Sequence, residues 1–304
     1  MNKLWEVVNG CCVEVLSGTP DEWVDYSIFS PPFSSLYVYS NDDRDMGNCM
    51  TDDEFFAHFD FLIHELYRVT KPGRLLSFHC MNLPRSKERD GVIGLKDFRG
   101  QLIAAFEKHG WVFHSEVCIW KDPVTAMQRT KAIGLLYKQL CKDSSLSRQG
   151  IPDYLVTMRK PGDNKDPIRK VNALKLPAGD DRLKNGFPLS TWQQWASPVW
   201  MDIDPGETLQ YTHARSDKDE RHICPLQLGV IRRGIGLWSN PGDLVLSPFA
   251  GIGSEGFEAV KMGRRFFGIE LKKEYHEWAI RNLQSAEVLM TQQSLFQEAH
   301  KGDE

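Results

Sequence analysis

A strand, a glycine-rich turn, a helix and a second strand follow one another over residues 244–270, and this unit restricts the possible folds more than any other stretch. Its turn carries Gly251, Gly253 and Gly256 in the spacing of the dinucleotide-binding fingerprint. The second strand ends at Glu270, 19 residues after Gly251, where an acid can hold ribose hydroxyls. The unit predicts a parallel sheet with a nucleoside-containing cofactor at the turn.

A second motif, Ser30-Pro31-Pro32-Phe33, ends an apolar run that predicts a buried strand. The two prolines fix their own φ angles, lack N–H donors and push Ser30 towards an extended backbone. Free carbonyl oxygens, a hydroxyl and an aromatic ring in one rigid loop suit a flat heterocycle that carries an amino group. A strand followed by an ordinary proline turn explains the same four residues equally well.

Helix-like and strand-like stretches alternate around these motifs, which predicts an α/β sheet protein. Thr51-Asp52-Asp53-Glu54 has the spacing of a capping box and opens an amphipathic helix that stops at Lys71-Pro72-Gly73. A polar loop at 34–50 lies next to the second motif. The other predicted elements are an apolar segment at 13–16, strands at 75–78, 111–120 and 154–158, and a helix at 97–109.

The composition is that of an ordinary globular protein, with 304 residues, 41% hydrophobic content and a net charge of −4. No apolar run approaches the ~18 residues of a membrane span, and the first residues lack the apolar core of a secretory signal. The seven cysteines form no Cys-x-x-Cys pair. We therefore expect reduced thiols in a cytoplasm-like compartment, with neither a disulfide framework nor a metal site.

Residues 121–160 are basic, with eight lysine or arginine side chains against three aspartates. The candidates for contact with phosphates are Arg129, Lys131, Lys138 and Arg148. A solvated helix face is the simpler explanation of the same charges. Periodicity then fades from 161 to about 221, a neutral stretch that is either a substrate-specificity insertion or a loop-rich structural elaboration.

The Phe249-Ala250-Gly251-Ile252-Gly253 turn and the distant Ser-Pro-Pro-Phe loop together resemble the β-class amino-methyltransferases of DNA, in which the catalytic motif precedes the cofactor motif. The resemblance implies a Rossmann-like methyltransferase fold with a mostly parallel sheet, helices on both faces and a circularly permuted motif order. Four further stretches match the family in the same order: 24–29, 66–75, 153–162 and 222–228.

The resemblance also implies S-adenosyl-L-methionine as the cofactor. Glu270 would take the ribose hydroxyls, and the helix start at Cys224-Pro225 would close over the amino-acid end. The family often has Gly-Asp-Cys near the N-terminus, whereas this chain has Gly10-Cys11-Cys12, so Cys11 stands where an acid would contact adenine. The remaining implied cofactor contacts are Ser247, Phe249, Ala250, Gly251 and Gly253.

The implied catalytic residues are those of the Ser-Pro-Pro-Phe loop, and the implied partner is double-stranded DNA. The Ser30 hydroxyl and the Pro31 carbonyl would each accept one N–H of an exocyclic amine, while Phe33 would stack on a flipped base and Pro32 would stiffen the loop. Serine at the first position resembles the N4-cytosine enzymes more than the N6-adenine enzymes, which remain the alternative. A homodimer and a cognate restriction endonuclease stay open as partners.

Two other classes of function remain open. A nicotinamide-dependent (NAD) oxidoreductase would use the glycine turn but would leave the Ser-Pro-Pro-Phe loop without a role. A catalytically silent DNA-binding relative would keep both motifs. His79 and Cys80 end a predicted strand, where they either border the site or pack in the core.

These patterns divide the chain into four parts. Residues 1–160 form the catalytic half of the methyltransferase domain and include the basic helical segment 121–150. Residues 161–221 are a candidate target-recognition insertion, and residues 222–291 form the cofactor-binding half. A polar tail is expected over 292–304.

Overall fold

The computed structural model describes residues 3–33, 44–85, 87–124, 137–146, 149–169, 188–210 and 225–299. Its strands are β1 (Trp5–Asn9), β2 (Val24–Phe29), β3 (Thr70–Met81), β4 (Leu83–Arg85), β5 (Gly94–Lys96), β6 (Val112–Ile119), β7 (Asp153–Arg159), β8 (Val199–Trp200), β9 (Leu244–Ser247) and β10 (Arg265–Glu270). Its helices are α1 (Cys12–Ser17), α2 (Asp52–Val69), α3 (Lys87–Asp90), α4 (Phe98–Lys108), α5 (Tyr137–Leu140), α6 (Leu189–Trp195), α7 (Leu228–Trp238), α8 (Ser254–Lys261) and α9 (Lys273–Ala299).

Eight of these strands form one sheet in the order β1-β10-β9-β2-β3-β7-β6-β8, and β4 pairs with β5 separately. Every neighbouring pair from β1 to β3 is parallel. Strand β7 runs antiparallel to both of its neighbours, β3 and β6, and β8 lies parallel to β6. The predicted mostly parallel sheet is therefore confirmed, with one reversed strand inserted in it.

Helices cover both faces of the sheet, as predicted. Alternate residues of β9 point to opposite faces: Leu244 and Leu246 belong to the cluster that packs under α1, α2 and α4, and Val245 belongs to the cluster under α7, α8 and α9. The connection from β2 to β3 runs through α2 on the first face, and the connection from β9 to β10 runs through α8 on the other. The direction of winding thus switches between β2 and β9, where open α/β sheets form their ligand crevice.

Local signals in the sequence explain the long helix α2. The Thr51 hydroxyl accepts a hydrogen bond from the backbone N–H of Glu54, and the Glu54 carboxylate accepts one from the N–H of Met50. The predicted N-terminal cap is confirmed. The Lys71-Pro72-Gly73 stop lies where the pairing of β2 with β3 shifts register, and Gly73 has φ +73°, which favours glycine.

The structure changes or extends four of the expected elements. The apolar segment at 13–16 belongs to helix α1, and β3 extends well beyond the expected 75–78. The expected polar tail is wrong for residues 292–299, because α9 continues to Ala299. The described part of 161–221 also contributes β8 to the edge of the main sheet. Within the residues that the structure describes, no helix is long and apolar enough to cross a bilayer.

Candidate functional site

The two sequence motifs leave the sheet from neighbouring strand ends. Strands β2 and β9 are parallel, with Ser27 opposite Leu246, so the chain reaches Ser30 and Phe249 at the same edge. The rings of Phe29 and Phe249 lie 5.9 Å apart between their centroids, which joins the two strand ends directly. The Ser-Pro-Pro-Phe loop and the glycine turn therefore lie at one sheet edge, at the switch point where open α/β sheets form a ligand crevice.

The glycine turn has the backbone shape that its sequence predicts. Gly251 and Gly253 have φ angles of +52° and +87°, a region that favours glycine. A Cβ added to Gly253 would lie 2.7 Å from Leu283, whereas one added to Gly251 would meet nothing within 4 Å. The turn thus packs tightly against α9 on one side and leaves the backbone of Gly251 open on the other.

Glu270, at the end of β10, closes this turn. One carboxylate oxygen accepts the N–H of Gly251 at 2.8 Å, and the other accepts the N–H of Lys272 at 2.8 Å. Burial raises the pKa of Glu270 to about 7 against these hydrogen bonds, and the nearby charge of Asp45 adds to the rise. Each oxygen retains a lone pair, which suits a diol that can donate two hydrogen bonds.

Three further polar groups at the turn are buried. The Oγ atoms of Ser247 and Ser254 have no hydrogen-bond partner among the described residues. The carboxyl group of Glu255 is also buried, and this burial, together with the charge of Glu270, raises its pKa to about 8. Unpartnered hydroxyls beside an open glycine backbone fit a polar ligand that supplies the missing partners.

Cys11 lies in the same row of strand ends. It follows β1, which pairs with β10, and the N–H of the preceding Gly10 donates to the carbonyl of Glu270 at 3.0 Å. A hydrogen bond from the Cys12 thiol lowers the pKa of Cys11 to about 6. The lowered pKa favours a thiolate, which is a negatively charged hydrogen-bond acceptor, at this strand end.

The Ser-Pro-Pro-Phe loop is rigid and mostly buried. Pro31 and Pro32 are buried, while Ser30 and Phe33 are partly exposed. The Phe33 ring makes edge contacts with the rings of His79 and Phe98, with centroids 6.4 and 6.3 Å away. The loop is therefore held against the layer of α4, and Ser30 stands at its open side.

Ser30 begins a line of polar contacts that runs across three strands. Its Oγ lies 3.3 Å from Nδ1 of His79 in β3, and Nε2 of His79 lies 2.9 Å from Oδ2 of Asp153. Nζ of Lys121, just after β6, lies 2.5 Å from the same oxygen. Burial opposes the ionisation of Asp153, but His79 and Lys121 outweigh it and hold its pKa below the ordinary value.

The other predicted contacts divide into described and undescribed residues. Ala250 is buried behind the turn, and Pro225 precedes α7, which begins at Leu228. Lys138 lies on α5 and is exposed. Three predicted DNA contacts and one cofactor contact lie outside the described residues: Arg129, Lys131, Arg148 and Cys224.

Sequence reasoning missed Asp153, Lys121 and Asp45. Asp153 begins β7 and pairs with both Met81 and Ile119, and only this register brings it to His79. Asp45 belongs to the acidic cluster of the polar loop, and this cluster is the one sequence feature that could have indicated a functional role for it. Among the described residues, no group of three or more histidine, cysteine or acidic side chains is arranged to hold a metal ion.

Comparison with known sequences finds similar proteins over most of the chain. A family model described as DNA methylase matches residues 24–281. YubD of Escherichia coli (strain K12) is 40% identical over 286 residues, which are 94% of this chain and 92% of YubD. DNA adenine methyltransferase YhdJ of the same organism is 39% identical over 84 residues, which are 27% of this chain and 29% of YhdJ.

Solved structures share the fold at low sequence identity. TTHA0409 of Thermus thermophilus, in complex with S-adenosyl-L-methionine, superposes with a TM-score of 0.64 at 20% identity and covers 92% of this chain and 95% of its own. The cytosine-N4-specific PvuII DNA methyltransferase superposes with a TM-score of 0.61 at 14% identity, over 94% of this chain and 91% of its own.

Proposed function

The chain belongs to the DNA methylase family, and on that premise we propose that it transfers the methyl group of S-adenosyl-L-methionine to an exocyclic amino nitrogen of a base in duplex DNA. The observation that carries the proposal is the meeting of two loops at one crevice. The Ser30 loop follows β2 and the Gly251 turn follows β9, and these two strands are parallel neighbours. One loop suits an amino group and the other suits a nucleoside.

The residues at the glycine turn fit the cofactor. The open backbone of Gly251 admits a ligand close to the chain, and the two oxygens of Glu270 can each accept one ribose hydroxyl. The unpartnered Ser247 and Ser254 hydroxyls would bond to its polar groups. When bound, the cofactor supplies an electrophilic methyl group on a sulfonium centre.

The Ser30 loop supplies acceptors rather than a covalent nucleophile. An exocyclic amine attacks poorly while its lone pair is delocalised into the base. The Ser30 hydroxyl and the Pro31 carbonyl would each accept one N–H, which aims the lone pair out of the ring plane. Because both prolines are buried and rigid, these acceptors need little reorganisation when the base arrives.

Phe33 would support the flipped base with its exposed part, while its remaining surface packs on Phe98 and His79. The energy of unstacking the base would be offset by stacking and by the new hydrogen bonds. This arrangement needs the base to leave the duplex, because a paired amino group cannot reach a crevice at the sheet edge.

The family resemblance implies two candidate acceptor atoms, N4 of cytosine and N6 of adenine. Serine at position 30 favours N4 of cytosine, and we take that atom as the first candidate acceptor. N6 of adenine is the second candidate, supported by the 39% identity over 84 residues to a protein named as an adenine methyltransferase. Both amines require the same two acceptors, so the base is identified by analysis of the product.

The test is to methylate a plasmid with purified protein and labelled cofactor, followed by mass analysis of the nucleosides. Label in N4-methylcytosine or N6-methyladenine supports the proposal and names the base. Ser30→Ala removes one acceptor and should reduce the transfer by roughly 100-fold, whereas Pro31→Ala keeps the carbonyl but loosens the loop and should cause a smaller loss. Ser17→Ala, at the exposed far end of α1, is the matched control and should retain full activity.

Two results would reject the proposal in favour of another class. An increase in melting temperature with NAD, but not with S-adenosyl-L-methionine, would indicate an oxidoreductase. Binding of both cofactor and DNA without any methyl transfer would indicate a catalytically silent relative.

The basic residues and the insertion have proposed roles on the DNA side. The chain leaves β6 after Ile119 and enters β7 at Asp153, and both of these residues lie at the edge that holds Ser30. Lys138 and its basic neighbours would therefore contact phosphates that flank the target base. Within 161–221, Trp195 and Trp200 are buried, whereas Trp192 is 52% exposed, and we assign target recognition to the exposed part of this segment.

A further inference from the structure

Polar contacts link Ser30 through His79 and Asp153 to Lys121. Of these four residues, only Ser30 belongs to one of the two sequence motifs. His79 and Asp153 are both buried, and Ser30 is partly exposed at the crevice. The imidazole joins a residue that faces the substrate to an ion pair that does not. The two contacts satisfy both nitrogens of the buried imidazole and at the same time connect Ser30 to the ion pair of Asp153 and Lys121.

For a neutral His79 ring, the chemistry of the partners fixes which nitrogen carries the proton. Asp153 is held as a carboxylate by Lys121, so it can only accept hydrogen bonds. Nε2 of His79, 2.9 Å away, must therefore donate. In the neutral ring Nδ1 is then an acceptor, and the Ser30 hydroxyl, 3.3 Å away, must donate its proton to it.

This direction matters for Ser30. A serine hydroxyl has one proton and two lone pairs, and it rotates freely unless a partner holds the proton. When the proton points to His79, both lone pairs remain available on the side of the crevice. A freely rotating hydroxyl would spend part of its time with its proton directed at the incoming N–H group.

We propose that His79 is a positioning residue, held by Asp153 and Lys121, that fixes the Ser30 hydroxyl as an acceptor for the amino group of the target base. The proposal rests on the proposed function for the identity of the amino group. The orientation of the hydroxyl does not depend on it.

Two near-isosteric variants separate this role from a packing role. The shorter amide introduced by His79→Asn has its oxygen near the position of Nδ1 and can still accept from Ser30, whereas His79→Gln keeps a donor near Nε2 for Asp153 and loses the acceptor. We expect His79→Asn to retain kcat within about threefold and His79→Gln to lose roughly 10- to 100-fold. The KM for DNA and the Kd for the cofactor should stay unchanged in both.

A double-mutant cycle tests whether His79 acts through Ser30. In the Ser30→Ala background, His79→Gln should cause no further loss of kcat, because the hydroxyl that it orients is absent. Independent losses that multiply would overturn the proposal, as would equal kcat values for His79→Asn and His79→Gln.

Nitrogen NMR of ¹⁵N-histidine-labelled protein gives a readout without any reaction. The His79 signals, assigned by their loss in His79→Asn, should show Nε2 protonated and Nδ1 unprotonated, and Ser30→Ala should shift the Nδ1 resonance. A proton on Nδ1, or an Nδ1 resonance that ignores Ser30→Ala, would reject the proposal. If the wild-type protein transfers no methyl group, the proposed function fails, and this spectrum still decides the orientation.

Discussion

At the edge where the parallel strands begin, the buried carboxylate of Asp25 has a partner for each oxygen. Oδ1 lies 2.6 Å from Nζ of Lys71 and 3.3 Å from Arg74, and Oδ2 accepts the N–H of Leu244 at 2.8 Å. Arg74 is fully buried and also bonds to Asp243 at 3.0 Å. These contacts join β2, β3 and β9, the three central strands, at their beginnings.

At the opposite edge, where the same strands end, several buried polar groups lack a partner, whereas in the Asp25 network Nε of Arg74 lacks one. The hydroxyls of Ser247 and Ser254 and Oδ1 of Asp153 have no hydrogen-bond partner among the described residues. Glu255 and Glu270 have raised pKa values of about 8 and about 7, because burial disfavours their charged forms. We infer that the first edge stabilises the fold. The second edge leaves buried polar groups without partners, which lowers stability but allows these groups to bind a ligand.

The largest expected effect is at the stabilising edge. Asp25→Ala leaves the buried charge of Arg74 with one carboxylate fewer and the N–H of Leu244 without its acceptor. We expect the free energy of unfolding to fall by about 3–5 kcal/mol, measured by urea denaturation. Asp163→Ala, an exposed aspartate at the same edge, should change it by less than about 0.5 kcal/mol. A loss for Asp25→Ala as small as that of this control would show that the network is not structural.

The second effect concerns pH and Glu255. The folded protein keeps a proton on this carboxyl up to about pH 8, whereas its ordinary pKa is 4.5. Between these values the folded state binds more protons than the unfolded state, so stability falls as pH rises. Glu255→Gln cannot titrate and should remove part of the fall, on the order of 1–3 kcal/mol between pH 5 and pH 8. Urea denaturation at both pH values measures it, and parallel curves for the two proteins would contradict it.

The third effect should appear mainly in ligand affinity. Glu270→Gln replaces one acceptor oxygen by a donor, so one ribose hydroxyl and one of the two backbone N–H groups lose their acceptor. We expect the Kd for S-adenosyl-L-methionine to rise roughly 10- to 100-fold, the value of a hydrogen bond to a charged group. Calorimetric titration measures the Kd, and urea denaturation should show a loss of at most about 1–3 kcal/mol, below that of Asp25→Ala. A large loss of stability with unchanged affinity would move Glu270 to the structural side of the comparison.

Much of the fold follows from local sequence signals. The cap at Thr51, the stop at Gly73 and the glycine turn at 251–253 each depend on residues close together in the chain, and the structure has all three. The meeting of the Ser30 and Gly251 loops was also predictable, because the carboxyl ends of neighbouring parallel strands share an edge. Patterns with a short range thus located the two motifs of the candidate site.

The missing parts depend on register and on long-range pairing. Asp153 reaches His79 only because β7 is reversed and pairs with β3 so that Asp153 lies opposite Met81, and no local pattern encodes that register. Strand β8 has two residues, too few to show an alternation. The polar composition from residue 292 onwards predicted a tail, but backbone hydrogen bonds can continue through polar residues, and α9 extends to Ala299.

The smallest expected effect is on the salt dependence of DNA binding. It is tested with two exposed lysines, one at the edge where the parallel strands end and one at the edge where they begin. Lys138 lies in the segment that leaves the edge of Ser30, and Lys165 follows the end of β7 at the opposite edge. If DNA lies over the site, log K for DNA binding should fall less steeply with log salt concentration in Lys138→Ala. The magnitude of the slope should decrease by about 0.9, the contribution of one phosphate contact. Lys165→Ala should leave the slope unchanged. Each variant removes one positive charge. Equal slopes for the two variants would therefore mean that DNA binding depends on the overall charge of the protein and not on a contact at the edge of Ser30.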